Sequence, residues 1–249
     1  MTRIARMFAK ALAWVANRLP QAALERMLER VIVARSQQLP AADGLRFLFR
    51  LDALLYSLQG PLSGVYGGGV HSKHRHTGYH DFFVERIGAD ERVLDIGCGM
   101  GAVAFDIAQR TGAQVHGVDL NAESIAEAQH RYQLPNLRFT VQDALQLKLD
   151  TPYDTIVLSN VLEHIVERPE FLRQAMQATG AKRIFIRVPL FERDWRVPLK
   201  QELGVEWRLD LDHKTEFTLA QFATETQAAG LQIVHQEVHW GEVWAELKP

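Results

Sequence analysis

The chemistry-bearing residues of this chain fall in three places. Residues 93–108, VLDIGCGMGAVAFDIA, join a short apolar run to a helical stretch through Gly97, Gly99 and Gly101. Such a loop lets backbone approach a ligand closely and points a helix N-terminus at negative charge. Its G-x-G-x-G spacing differs from the G-x-G-x-x-G of dinucleotide folds, which argues against a nicotinamide dehydrogenase. Asp95 precedes the loop. Asp119 ends the next apolar run, 22 residues after Gly97, where an acid can accept the hydrogens of both ribose hydroxyls. Asp143 ends the run after that, where its carboxylate can accept an adenine amino hydrogen. Three acids at three successive run ends describe one ligand crevice.

The second place is SNVLEHI, residues 159–165, with LDHKTEFT, residues 211–218, far downstream. Asn160, Glu163 and His164 stand at i, i+3 and i+4, a spacing that predicts one shared helical face. His213 joins them as a candidate. A neutral His is a suitable general base near pH 7. The third place is HSKHRHTGYH, residues 71–80, with four of the ten histidines. It reads as a metal site through His71, His74, His76 and His80, as a basic patch, or as part of a lid. No cysteine or acid stands at structural-zinc spacing beside it. The patch is also short and lacks a recognisable RNA-binding module, so no nucleic-acid partner is expected.

Elements to position these residues are legible from Arg92 onward. Apolar runs at 92–97, 114–120, 137–143, 153–160 and 183–189 alternate with helical stretches at 102–110, 122–132 and 168–179. That alternation predicts a parallel, doubly wound α/β sheet. Residues 230–248 read as two strands meeting near Gly241, a closing hairpin. Before Arg92 the pattern is helical: 3–18, 21–39 and 45–58, then a glycine-rich loop at 60–70 and a helix at 78–87. The predicted organisation is a helical extension with a glycine-rich hinge over 1–70 and an α/β domain over 71–249.

Apolar residues make up 47% of the 249 and charged residues 23%, and the net charge is −2, which suits a globular chain with a sizeable core. Cys98 is the only cysteine, which excludes an intramolecular disulfide and fits a cytoplasmic protein. No apolar run reaches the roughly 18–20 residues of a membrane span, and the N-terminus reads poorly as a signal peptide. Charge is uneven, however. Residues 1–50 hold nine Lys/Arg against three Asp/Glu. Ile4, Met7, Phe8, Ala11, Leu12 and Val15 form one apolar face, with Arg3, Arg6 and Lys10 off it. Residues 1–18 therefore read as a helix packed on protein, or as a peripheral contact with an anionic inner-membrane surface.

DIGCGMG, GVDLN, QDA and YDTIVLSNVLEHI together resemble class I S-adenosylmethionine (SAM) dependent methyltransferases, over roughly residues 78–249. The resemblance implies a Rossmann-like seven-stranded doubly wound sheet with one antiparallel strand. It implies SAM as cofactor, with Asp95, Gly97, Cys98, Gly99 and Gly101 at its methionine end. Asp119 and Leu120 would hold the ribose, Asp143 and Ala144 the adenine, and Asn160 would also face the cofactor. Cys98 has no base beside it to form a thiolate and reads as packing. The segment before the first strand folds over SAM in this family, so the histidine stretch reads as a lid with Arg75, Tyr79 and His80 touching ligand. A solvated basic turn is the simpler alternative.

In part the chain also resembles ubiquinone-pathway O-methyltransferases, whose Glu-x-x-Glu-His motif and later His hold a divalent cation. Glu163, His164 and His213 match, and Asn160 stands where the first Glu would be. Mg²⁺ or another divalent cation is thus a candidate cofactor. The stretches KHRHTGYHDFFVERI and FERDWRVPLKQELGVEWRLDLDH look like those of methyltransferases of bacterial surface-glycan synthesis. This implies a sugar or glycan acceptor, possibly lipid-linked, contacted by Arg193 and Trp195. A phenolic or quinone-precursor acceptor and a non-catalytic partner subunit are the competing readings.

Overall fold

The computed structural model describes residues 3–249. Within the first helix the side chains of residues 3–6, 8, 9 and 11 lie outside the described ones. Of the predicted apolar stripe, Ile4, Phe8 and Ala11 therefore fall outside the described side chains, as do Arg3 and Arg6. Two compact units divide the chain, residues 1–58 with 202–205, and residues 59–201 with 206–249. The division falls at residue 58, not at the sequence-predicted 70.

The first unit is built from helix α1 (Arg3–Ala16), α2 (Gln21–Gln37) and the first part of α3 (Ala41–Tyr66). Pro20 and Pro40 precede α2 and α3, where a missing N–H costs nothing. Gly44 permits close passage of α2's end, because a Cβ there would lie 3.0 Å from the Ser36 carbonyl oxygen. The glycine-rich loop predicted at 60–70 is mostly helix, since α3 continues to Tyr66 through Pro61. Proline forgoes one backbone bond, but the flanking Leu62 and Val65 continue the helix. The turn is confined to residues after Tyr66.

The second unit begins with two short helices, α4 (Lys73–Thr77) and α5 (Tyr79–Val84), separated by Gly78 at φ 64°. Strand β1 (Arg92–Ile96), α6 (Ala102–Thr111), β2 (Gln114–Asp119), α7 (Ala122–Arg131) and β3 (Leu137–Val141) follow. Then come β4 (Thr155–Ser159), α8 (Arg168–Thr179), β5 (Arg183–Pro189), α9 (Arg196–Glu202), α10 (Leu219–Ala228) and the hairpin β6 (Gln232–His239) and β7 (Glu242–Lys248). The sheet order is β3-β2-β1-β4-β5-β7-β6. All neighbours are parallel except the pairs made by β7. This is the predicted seven-stranded sheet with one antiparallel strand.

Period-2 alternation feeds two core layers. Leu94, Ile96, Ile156, Leu158, Ile184 and Ile186 point to one face, which α8 and α10 cover through Phe171, Leu172 and Phe222. Val93, Val115, Val157 and Phe185 point to the other, which α5, α6 and α7 cover through Phe82, Phe83, Ile107 and Ile125. With β1 placed between β2 and β4, the chain's winding reverses at the β1–β4 boundary, where open α/β sheets bind ligands at strand C-termini. Phe185 is fully buried against Phe82 and Phe83. Phe185→Ala should lower unfolding free energy by about 3–5 kcal/mol in urea titration; a loss below about 1 kcal/mol would contradict this placement of the core.

Candidate functional site

At the β1–β4 boundary the C-terminal strand ends open into a cleft of about 250 Å³, lined by Asp95, Gly97–Met100, Ser159, Asn160 and residues of the 69–79 segment. The loop after β1 needs its glycines. A Cβ on Gly97 would lie 2.5 Å from Val161 Cγ2, and one on Gly101 2.6 Å from Phe139 Cζ. A Cβ on Gly99 would meet nothing within 4 Å, so there the loop backbone faces open space. Asp95 is buried, and its Oδ2 has no hydrogen-bond partner. Burial, then the neighbouring Asp119 charge, push its carboxyl up to about 8, although the Ala104 N–H donates to it. Burial therefore favours the protonated form of Asp95.

Asp119 ends β2 and is held by two backbone donors, the N–H of Gly99 and of Asn121, each at 2.8 Å. Asn121 in turn caps α7. Asp143 caps a short 3₁₀ turn that begins at Ala144, accepting the Leu145 N–H at 2.9 Å. Both acids and Ala144 sit at strand ends outside the enclosed part of the cleft, and Leu120 beside them is 71% exposed. Cys98 is half-buried, and burial followed by the Asp95 and Asp119 charges pushes its thiol up, which matches the packing reading.

Asn160 departs from the predicted helical face. It leaves β4 in the left-handed region at φ 58°, and the turn behind it is a 3₁₀ turn of Leu162–His164 only. Its N–H donates to the Arg187 carbonyl at 2.8 Å, and its buried Oδ1 has no partner. Asn160 thus faces the cleft and is separated from the helical pairing with Glu163 that the spacing predicts.

The histidine stretch sorts differently from the lid expectation. Of Arg75, Tyr79 and His80, only Tyr79 lines the cleft. Arg75 is exposed, and both it and His80 line a separate cavity of about 450 Å³. Short helices turn successive side chains in different directions, so α4 sends His74 and Lys73 to the cleft instead. His80 Nδ1 lies 2.6 Å from Asp106 Oδ2, and its Nε2 lies 2.8 Å from His74 Nδ1. The Tyr79 hydroxyl also reaches His74 Nδ1, at 3.0 Å. Burial and then His80 push His74 down to about 4, so its ring is neutral at pH 7. These residues form a hydrogen-bonded wall, and among the described residues the four histidines do not converge as a metal cluster.

Beside the cleft, Glu163, His164 and His213 do converge, each offering a ligand atom within 4.8 Å of the others. The backbone of Lys214 donates to the Glu163 carbonyl at 2.8 Å, which docks the His213 loop on the turn after β4. Glu163 is fully buried and both carboxylate oxygens lack partners. Burial pushes it up to about 7, opposed by its own backbone N–H and by His213 and Arg187. His213 Nε2 lies 4.0 Å from Glu163 Oε1, and the His164 and His213 rings meet edge-on at 4.7 Å. Burial, then His213, also push His164 below the usual imidazole value.

Glu216 is a residue of this centre that spacing alone did not single out. It is buried, and its Oε1 lies 3.1 Å from His213 Nδ1. A carboxylate accepts only, so Nδ1 donates its hydrogen to Glu216 and Nε2 is turned toward Glu163. Glu216 also accepts from the Leu209 N–H and the Arg193 guanidinium. Its one sequence signal is the i, i+3 spacing to His213. Arg193, predicted as a substrate contact, is a brace: it donates to Glu216 and to the carbonyls of Leu190 and Trp207. Trp195 is free of that network and 72% exposed.

A seven-stranded Rossmann-like sheet with a glycine-loop cleft at its reversal point defines the methyltransferase architecture. The family described as "Methyltransferase domain" matches residues 72–236, and the chain belongs to it. The ubiquinone biosynthesis O-methyltransferase of Aeromonas salmonicida (strain A449) is 30% identical over 154 residues, covering 57% of this chain and 63% of that protein. The norajmaline N-methyltransferase of Rauvolfia serpentina is 30% identical over 95 residues, covering 36% of this chain and 32% of that protein. The match thus spans less than two thirds of either relative. The structure of magnesium protoporphyrin IX methyltransferase from Synechocystis PCC 6803 superposes with a TM-score of 0.56 at 19% identity, covering 70% of this chain and 83% of that one, which shows the fold.

Removing Glu216 tests the His213 geometry. Glu216→Ala should lose about 3–5 kcal/mol of stability by leaving Arg193 without its buried acceptor. In ¹⁵N NMR of the neutral ring, the parent protein should show the Nδ1-protonated tautomer of His213. An Nε2-protonated tautomer in the parent would overturn the assignment.

Proposed function

We propose that this protein is a SAM-dependent O-methyltransferase whose acceptor presents a hydroxyl beside a second oxygen, as a catechol or a sugar diol does. The observation that carries this is the convergence of Glu163, His164 and His213 beside the glycine-loop cleft. The relatives named for ubiquinone biosynthesis support a phenolic acceptor over the glycan that the sequence suggested.

The cleft's residues fit SAM. Asp95 offers an orphaned buried carboxyl oxygen, Asn160 an orphaned amide oxygen, and Gly99 an open stretch of backbone. Bound there, SAM supplies a methyl group on a positively charged sulfur. Asp95 gives up its proton to face that positive charge, and Asp119, already held by Gly99 and Asn121, is aligned to accept from ribose hydroxyls.

At the acceptor, His213 Nε2 is the base: Glu216 holds the proton on Nδ1, so Nε2 takes the hydroxyl proton. Loss of that proton to His213 would free an oxygen lone pair for the methyl group that bound SAM would supply. Tyr79 and His74 line the cleft wall and are joined by a hydrogen bond.

A divalent cation fits the same centre, because Glu163's two buried oxygens have no partner and two imidazole nitrogens stand within 4.8 Å. Glu163, His164 and His213, the last through Nε2, would hold it, and it would acidify the acceptor hydroxyl so that the proton leaves to solvent. This is an alternative to Nε2 acting as the base, since one lone pair cannot do both. Asn160 supplies no charge where the resembling pattern has an acid, which lowers the expected affinity. A sugar acceptor is the second reading, and Trp195 favours it, since an exposed indole face is a platform for a pyranose ring.

The deciding assay incubates the full chain with methyl-labelled SAM and either a dihydroxybenzoate or a panel of free and lipid-linked sugars. Label on the catechol, with the rate falling at least roughly tenfold in Glu163→Gln and Mn²⁺ binding seen by electron paramagnetic resonance, is the expected result. Label on sugar alone selects the second reading. SAM binding with no transfer to either acceptor would overturn the proposal.

Asp95 adds a pH dependence. Its folded-state value of about 8 lies above the ordinary 3.8, so the free cleft holds a proton at pH 7 that a cationic ligand must displace. SAM affinity measured by calorimetry should rise with pH up to about 8 and then level off. Asp95→Asn should bind more weakly and flatten that rise; an unchanged slope would contradict the assignment.

A further inference from the structure

The N-terminal helices carry more exposed apolar surface than a self-contained unit can hold. Among the described residues, α2 has no buried residue and α3 only Gly44 and Phe49. On α1, Met7, Leu12 and Trp14 are each more than half exposed, and on α2 Val31 is 60% exposed. On α3, Leu48, Leu55, Leu58, Leu62 and Tyr66 are exposed and recur at three-, four- or seven-residue intervals. That spacing places them on one side of the helix. Soluble monomers rarely leave an apolar surface of this extent bare, so the surface has an occupant.

Charge identifies it. Residues 1–50 hold nine Lys/Arg and three Asp/Glu. Lys10 on α1 and Arg26, Arg30 and Arg35 on α2 are exposed on the same helices that expose the apolar side chains. A second copy of this chain would bring the same excess positive charge against the first. A lipid surface with acidic headgroups neutralises it and takes the apolar side chains at the headgroup–acyl boundary. None of the described helices is long and apolar enough to cross a membrane, so the contact is with the surface only.

We propose that α1, α2 and the first part of α3 form a docking face for an anionic phospholipid surface. The sequence suggested such a contact for residues 1–18; the exposed residues extend it through Leu58. The proposal is independent of the acceptor and of methyl transfer.

The test is flotation of the full chain with vesicles of phosphatidylcholine alone and of phosphatidylcholine mixed equally with phosphatidylglycerol. The expected result is roughly tenfold more protein bound to the anionic vesicles, with binding lost at high salt. The double substitution Leu55→Glu and Leu58→Glu should reduce binding roughly tenfold. Val234→Glu, an exposed position on β6, should leave it unchanged. Circular dichroism checks that the variants keep their helices. Equal recovery on both vesicle types, or no recovery on either, would overturn the proposal. So would a dimer in analytical ultracentrifugation that binds no vesicle and that the double substitution dissociates, since the face would then belong to a second copy.

Discussion

One buried cation ties the cleft together. Arg187 on β5 is 3% exposed, and its guanidinium takes both carboxylate oxygens of Glu242 on β7, at 2.6 and 2.7 Å. It also donates to Ser159 Oγ at the end of β4 and lies 3.7 Å over the Tyr79 ring. Its own carbonyl accepts the Asn160 N–H. A buried guanidinium is costly unless every donor is used with good geometry. Satisfying Arg187 therefore fixes the positions of β4, β5, β7 and α5 at the place where the cleft opens. Burial raises the Tyr79 hydroxyl well above its usual value, so that residue serves as a neutral wall.

The two centres of the second unit use one physical device. At each, a carboxyl group is buried with unfilled hydrogen-bonding capacity, Asp95 in the cleft and Glu163 beside His213. Desolvation holds both near or above neutrality, so each waits for positive charge. Glu216 is the contrast. It is equally buried, but Arg193, Leu209 and His213 fill its oxygens. A filled carboxylate positions its neighbours, whereas an unfilled one is set up to receive a ligand.

The sheet was legible because parallel strands buried on both faces read as apolar runs, and each run ended where β1 to β5 end within a residue or two. The positions of the glycine loop and Asp119 were legible because a tight backbone turn and a strand end set them. Three features were hidden. Helical continuation through Pro61 depends on neighbours that a glycine-rich composition masks. The direction of Asn160 follows from a left-handed φ, which an i, i+3, i+4 count presumes away. The roles of Glu216 and Arg193 come from tertiary pairing across the 189–216 stretch, and no local pattern encodes which side chains meet there.

The hairpin gives the cleft an order of assembly. Glu242 lies 55 residues after Arg187 and opens β7, which follows every other strand of the sheet in sequence. As the chain leaves the ribosome, the glycine loop, Asp95 and Asp119 emerge early, but Arg187 has no counter-charge until β7 slides in beside β5. The wall that orients Tyr79 is thus finished only once the hairpin has formed. A chain lacking that strand would display the cofactor motif without a closed cleft, and ligand binding would report that β7 is in place.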